Sequence, residues 1–78
     1  MEMNLPSKES QIPCLVKIEP ENGIYTLRTF DTSGRQFSNG HELVAWIKRN
    51  WEPIQFQNPD QYIQLLHAIK DELADLYE

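Results

Sequence analysis

The most regular pattern of hydrophobic and polar positions lies in the C-terminal stretch from Asn58 to Glu78. At about 100° per residue, its large apolar side chains fall on one stripe about 120° wide, as in a helix that packs on a core. The stripe comprises Tyr62, Leu65, Leu66, Ile69, Leu73, Leu76 and Tyr77. Asn58 suits the N-cap, Pro59 is tolerated at the first helical position, and Gln61 completes a capping box. We therefore predict a helix from Pro59 to Leu76.

A shorter alternation of apolar and other residues predicts the first strand, from Ile12 to Ile18. The Pro-Glu-Asn-Gly sequence at positions 20–23 is typical of a tight turn, because Asn-Gly favours the positive φ angles of hairpin loops. The run from Ile24 to Phe30 is rich in β-branched and aromatic residues and predicts a second strand. After a turn at positions 31–34, the segment Arg35 to Phe37 predicts a short third strand.

A second capping pattern predicts a helix from Gly40 to Trp51. Asn39 is its N-cap, Glu42 follows three residues later, and Pro53 prevents the helix from continuing. One face of this helix carries Leu43, Val44, Ile47 and Trp51. Trp46 lies outside that face, so we expect its indole at the edge of the core, whereas Trp51 belongs inside the core.

The order of these elements predicts an α+β fold in which a three-stranded antiparallel meander is followed by two helices, β-β-β-α-α, as a two-layer sandwich. Residues 1–11 mix polar residues and proline without periodicity, so we predict a disordered N-terminal tail. Residues 12–78 then form a single small domain. Because Arg35 to Phe37 is short, a two-stranded hairpin packed on a helical pair remains an alternative.

The length and composition of the chain limit the functions that it can have. A domain of 78 residues buries roughly 60 to 65% of its unfolded surface and needs additional stabilisation. The single cysteine, Cys14, excludes an intramolecular disulfide, which leaves a subunit interface as the candidate source. A net charge of −5 works against a polyanionic partner. The N-terminal residues contain no signal-peptide pattern and no stretch approaches a membrane span, so we expect a soluble, cytoplasmic protein.

Few residues are candidates for chemistry. Cys14 alternates with apolar residues and has no basic neighbour in sequence, so we interpret it as a small core residue. His41 and His67 lie in different helices, and no further Cys or His completes a zinc site. Asp71 and Asp75 are spaced to share a divalent ion, but acidic runs on a terminal helix usually serve solubility. We predict no catalytic, metal or cofactor site.

The alternative function is nucleic-acid binding through the sheet, since small antiparallel sheets can present basic and aromatic residues to DNA or RNA. The candidate residues are Lys17, Tyr25, Arg28 and Arg35. They form a thin stripe in an acidic chain, and Tyr25 and Arg28 fall on opposite faces of a regular strand. A third, more distant hypothesis is an accessory subunit of an enzyme.

The leading hypothesis is a small interaction module that self-associates through the last helix as a homodimer. Its apolar side chains extend past the core stripe and surround Lys70, whose stem can lie along apolar surface. The predicted interface comprises Trp46, Ile63, Lys70, Ala74 and Tyr77. A competing explanation is that the linker Glu52 to Gln57, predicted as extended or as a fourth strand, covers this edge with Ile54 and Phe56.

Overall fold

An antiparallel sheet and two α-helices form the fold of this chain, in a computed structural model that describes residues 1–31 and 33–74. Within those residues the elements are β1 (Glu2–Leu5), β2 (Cys14–Glu19), β3 (Ile24–Arg28), β4 (Gly34–Gln36), α1 (Gly40–Asn50) and α2 (Pro59–Ala74). Neither described helix has the length and apolar composition needed to cross a membrane. The predicted α+β class and the sheet-then-helices layout are confirmed.

The four strands are arranged in chain order, β1-β2-β3-β4, and every neighbouring pair is antiparallel. Val16 of β2 is paired with Met3 of β1 on one side and with Leu27 of β3 on the other. Alternate residues therefore face the same side, which becomes the core face of the sheet. The turn between β2 and β3 ends at Gly23, whose φ of 68° is readily adopted by glycine.

The sheet has four strands rather than the predicted three, because the N-terminal residues form an additional strand, β1. The sequence predicts a disordered tail over residues 1–11, but residues 2–5 pair with β2, and Leu5 is fully buried. Met3 and Leu5 do alternate with polar neighbours, yet four residues before a proline give too short a period-two pattern to recognise. The exposed edge that β2 offers, which is a tertiary feature, decides the conformation of this segment.

The other strands differ from the prediction in their boundaries. The strand predicted from Ile12 begins at Cys14, after Pro13, and the next strand ends at Arg28 rather than Phe30. Directly after Arg28, the Thr29 hydroxyl donates to the carboxylate of Asp31, and the turn that follows β3 starts with this hydrogen bond. The short third predicted strand exists and is shifted by one residue, to Gly34–Gln36.

Both helices begin where the capping patterns predict. In α1 the Asn39 Oδ1 atom accepts the Glu42 N–H at 2.9 Å, and Glu42 Oε2 accepts the Ser38 N–H at 3.2 Å. In α2 the Asn58 Oδ1 atom accepts the Asp60 N–H at 3.1 Å. Trp51 is the C-cap of α1. The described part of α2 ends at Ala74, so the predicted helical residues up to Leu76 lie outside the described residues.

The core lies between the sheet and the helices, where α1 contacts β3 and α2 contacts β1. Its buried apolar side chains are Leu5, Cys14, Val16, Ile18, Tyr25, Leu27, Leu43, Ile47, Trp51, Phe56, Tyr62, Leu65, Ile69 and Leu73. Gly40 lies against the side chain of Leu73, since a Cβ atom at Gly40 would collide with that side chain. The start of α1 thus lies against the end of the described part of α2. Because a short linker joins the end of α1 to the start of α2, the two helices run antiparallel.

The linker between the helices is neither a fully extended segment nor a regular fourth strand. It forms a short 3-10 turn at Pro53–Gln55, and Phe56 then makes an isolated antiparallel bridge with Ser7. Backbone hydrogen bonds flank this bridge, from Lys8 N–H to Gln55 O at 2.9 Å and from Gln57 N–H to Pro6 O at 3.0 Å. The N-terminal segment therefore fixes the linker in place, and we call this contact the Ser7–Phe56 bridge.

Candidate functional site

An open groove of about 520 Å³ is lined by residues of α1 and α2. We call it the helical groove. Its apolar lining residues are Val44, Ile63, Leu66, Ile69, Leu73 and Ala74. Ile63, Leu66, Ile69 and Leu73 of α2 recur at spacings of three and four residues, which places them on one side of the helix. Leu73, which packs against Gly40, also lines the groove.

Among the described residues, all polar side chains that line the helical groove are bases. They are His41 and Lys48 from α1, and His67 and Lys70 from α2. No carboxylate of the described chain lines this groove, although the whole sequence has twelve acidic and seven basic residues and a net charge of −5. The site thus combines an apolar floor with locally basic edges, and lysine stems can lie along the apolar surface while their charges remain in water.

Three of the predicted interface residues come together in this groove. Ile63, Lys70 and Ala74 all line it, and the Ile63 side chain is 50% exposed. Tyr77 lies outside the described residues. Trp46 does not line the groove. Three of the five predicted interface residues therefore line one groove and Trp46 lies apart from them, and the role of these residues as an interface stays a prediction.

Trp46, a residue of α1, belongs to a row of aromatic rings. We define the aromatic row as Phe37, Trp46, Trp51, Phe56 and Tyr62. The Trp46 ring centroid is 6.4 Å from Phe37 and 5.7 Å from Trp51, and the Arg35 guanidinium carbon lies 5.1 Å from it. Trp46 is half-buried, as expected for the edge of the core, and an arginine rather than open solvent covers part of it.

The interhelical linker does not fill the helical groove. Phe56 is fully buried in the aromatic row, with ring centroids 5.6 Å from Trp51 and 5.9 Å from Tyr62. Ile54 is 69% exposed and lines no part of the groove. The competing explanation, in which these two side chains cover the far edge of α2, is wrong.

A second, smaller cavity of about 210 Å³ lies beside the aromatic row. It is lined on one side by Trp46 and Trp51, and on the other by the turn that contains Asp31. The Thr29 hydroxyl and the Ser33 N–H both donate to Asp31 Oδ1, and these hydrogen bonds hold the pKa of this carboxyl below its usual value. The indole N–H of Trp51 is buried and has no hydrogen-bond partner among the described residues.

The residues considered for chemistry are dispersed. Cys14 is fully buried, and burial raises the pKa of its thiol to about 11, so it stays protonated at neutral pH. His41 and His67 are exposed, and they line the same groove from two helices. No group of three or more metal-binding side chains occurs within the described residues, and Asp75 lies outside them.

The residues of the nucleic-acid alternative do not share one face. Lys17 and Arg28 lie on the sheet face opposite the core, whereas Tyr25 is buried in the core and Arg35 lies over Trp46. A guanidinium nitrogen of Arg28 donates to the carbonyl of Pro13 at 3.2 Å. This separation leaves the sheet without the basic and aromatic stripe that the alternative requires.

The sequence did not identify the contribution of α1 to the helical groove. His41, Val44 and Lys48 are spaced at three and four residues and so share one side of α1. Val44 packs against the core, as predicted, and also lines the groove, so its place on the core face does not reveal this second contact. Which side of α1 meets α2 depends on the packing of Gly40 against Leu73, and a single helix does not reveal it.

No protein-family model matches this chain, and neither a curated protein nor a solved structure is significantly similar to it. The helical groove and its surroundings are therefore the observations on which a function rests.

Proposed function

We propose that this chain is a small cytoplasmic protein-interaction module without catalytic activity, which self-associates as a homodimer through the helical groove. The observation that carries the proposal is an apolar groove that no described segment of the chain covers. Ile63, half exposed at its edge, is the largest apolar side chain that the monomer leaves open there. Exposed apolar surface with polar edges is typical of protein interaction sites.

A second copy is the partner that requires the fewest assumptions. A two-fold contact needs a single self-complementary patch, and two-fold dimers are the commonest oligomers. A chain of 78 residues with one cysteine has neither a large core nor a disulfide framework, so burial of the groove in a dimer would add stability. The groove edges also differ in charge from the rest of the acidic chain, which gives the contact a defined orientation.

Light scattering coupled to size exclusion tests this proposal. The parent chain should have a mass near twice 9.2 kDa at tens of micromolar. Ile63→Asp combined with Ala74→Asp should give a monomer, because both carboxylates would be buried against an apolar partner surface. Ile54→Asp is the matched control, since Ile54 is 69% exposed and lies outside the groove, and it should remain dimeric.

A parent chain that is monomeric at this concentration contradicts self-association, because a specific interface of ordinary size would be occupied. Circular dichroism on the groove variant provides the folding control. If the Ile54→Asp control also becomes monomeric, the interface is not the helical groove.

A further inference from the structure

We infer that in the dimer each α2 lies in the helical groove of the other copy, parallel to the α2 that forms it, with its acidic outer flank facing the basic edge on α1. This inference rests on the proposed self-association and specifies which surface of the second copy enters the groove. It follows from the positions of the charged residues on α1 and α2.

The outer flank of α2 is the side that faces away from α1. Leu73 meets Gly40 of α1 and so marks the inner side of the groove-lining residues. Asp71, four residues after His67, lies on the opposite side of those residues, and Asp60, three residues before Ile63, lies there too. Both aspartates are exposed. An acidic flank thus borders the groove on the edge that α1 does not form.

The basic edge on α1 is formed by His41 and Lys48, which are exposed and line the groove near its two ends. His41 lies beside Gly40, at the level of Leu73, and Lys48 lies toward the Ile63 end because the helices are antiparallel. The two bases on α1 are seven residues apart and the two acids on α2 are eleven residues apart, about 10 and 16 Å along the helix axes, so the two pairs overlap along part of the helical pair. Their signs are complementary between two copies.

The symmetry of the contact follows from the packing distance of helices, about 8–10 Å between axes. If α2 of the second copy fills the groove, a two-fold axis perpendicular to the helices would bring the two α1 helices into collision. An axis parallel to the helices avoids this collision. It also turns the outer flank of each α2, with Asp60 and Asp71, toward the α1 of the other copy.

A charge-swap experiment tests the inference. The edge variant carries His41→Glu and Lys48→Glu, and the flank variant carries Asp60→Lys and Asp71→Lys. Each variant alone should dimerise about tenfold or more weakly than the parent, because each places like charges across both symmetric contacts. An equimolar mixture should form a heterodimer, in which an acidic edge meets a basic flank and a basic edge meets an acidic flank. The variant that carries all four substitutions should form a homodimer again.

Native mass spectrometry distinguishes the heterodimer from the homodimers, and circular dichroism verifies that each variant is folded. The inferred orientation is wrong if the parent dimerises but the mixture forms no heterodimer. It is also wrong if the edge and flank variants each dimerise as tightly as the parent. In both cases self-association itself still holds. A monomeric parent overturns both the orientation and the proposed self-association. Salt gives an independent readout, since the difference between parent and edge variant should shrink as ionic strength rises.

Discussion

The aromatic row and the helical groove lie on different sides of the same helix, α1. They differ in whether another segment of the chain fills them. In the row, consecutive ring centroids are 5.6 to 6.4 Å apart, and Trp51 and Phe56 are buried. In the groove, aliphatic and basic side chains line an open space of about 520 Å³. The linker closes the row by inserting Phe56, and no described segment does the same for the groove.

The difference shows how a small chain distributes its large side chains. Aromatic rings give the greatest burial per residue, and here they lie where strand ends, linker and helices converge. The seam between α1 and α2 has a glycine packed against Leu73, and aliphatic or basic side chains line its groove. One side of α1 therefore stabilises the fold, whereas the other remains accessible to a partner.

Replacement of the central tryptophan should have the largest effect on stability. Trp51 is 2% exposed, and Trp51→Ala should lower the free energy of unfolding by about 3 to 5 kcal/mol, as for other buried large aromatics. Trp46→Ala should cost distinctly less because Trp46 is half-buried at the end of the row nearer solvent. Urea unfolding followed by circular dichroism measures both. Equal losses in a monomeric protein would refute the distinction between these tryptophans.

Closing the helical seam where Gly40 packs against Leu73 should have an intermediate effect. Gly40→Ala places a Cβ atom against the side chain of Leu73, and overpacking of this kind costs about 1 to 3 kcal/mol. Alanine's better helix propensity offsets up to about 1 kcal/mol of that cost. Leu73→Ala in the same chain should relieve the collision, which a double-mutant cycle of unfolding free energies detects.

The control for this glycine is Gly34→Ala, because a Cβ atom there would approach nothing closer than the Leu27 carbonyl oxygen at 4.0 Å. It should change stability less than Gly40→Ala does. Independent, additive effects of Gly40→Ala and Leu73→Ala would show that the helices do not meet at this point, and the geometry of the groove would then be wrong.

The smallest expected effect concerns the turn beside the aromatic row. Hydrogen bonds from Thr29 and Ser33 hold the pKa of the exposed Asp31 below its ordinary value of 3.8. A carboxyl with a lowered pKa stabilises the folded state above its unfolded pKa, and this contribution is lost as the pH falls through the folded pKa. Asp31→Asn should therefore flatten the decrease in stability below about pH 4, relative to the parent.

Unfolding midpoints between pH 2 and 7 provide the measurement, with Glu21→Gln in the other turn as the control. An Asp31→Asn variant whose stability falls as steeply as that of the parent would show that the turn does not favour the charged form. The effect is small because solvent screens an exposed carboxylate.

The sequence predicted what local periodicity determines. The caps at Asn39 and Asn58, the burial of Trp51 and the outward direction of Ile63 follow from residue types at helical spacing. These features need no knowledge of distant contacts. They account for the two helices and for one side of the helical groove.

The missed features all depend on contacts between distant segments. β1 is a strand because the edge of β2 pairs with it, and the buried position of Phe56 depends on the same N-terminal segment. Trp46 points where the helical wheel places it, but the wheel does not show that Phe37 and Arg35 lie beside it. The basic edge of the groove likewise required the relative position of α1 and α2.

The Ser7–Phe56 bridge has a consequence for the order in which the chain folds. Ser7 and Gln55, whose side-chain hydroxyl and backbone carbonyl meet beside the bridge, are 48 residues apart in sequence. Hairpins between neighbouring strands form in about 1–10 μs, whereas this contact closes a loop that contains most of the chain. We expect the β2–β3 hairpin and both helices to form first and the N-terminal segment to dock last. The docking of the N-terminal segment then sets the rate at which the native core is completed.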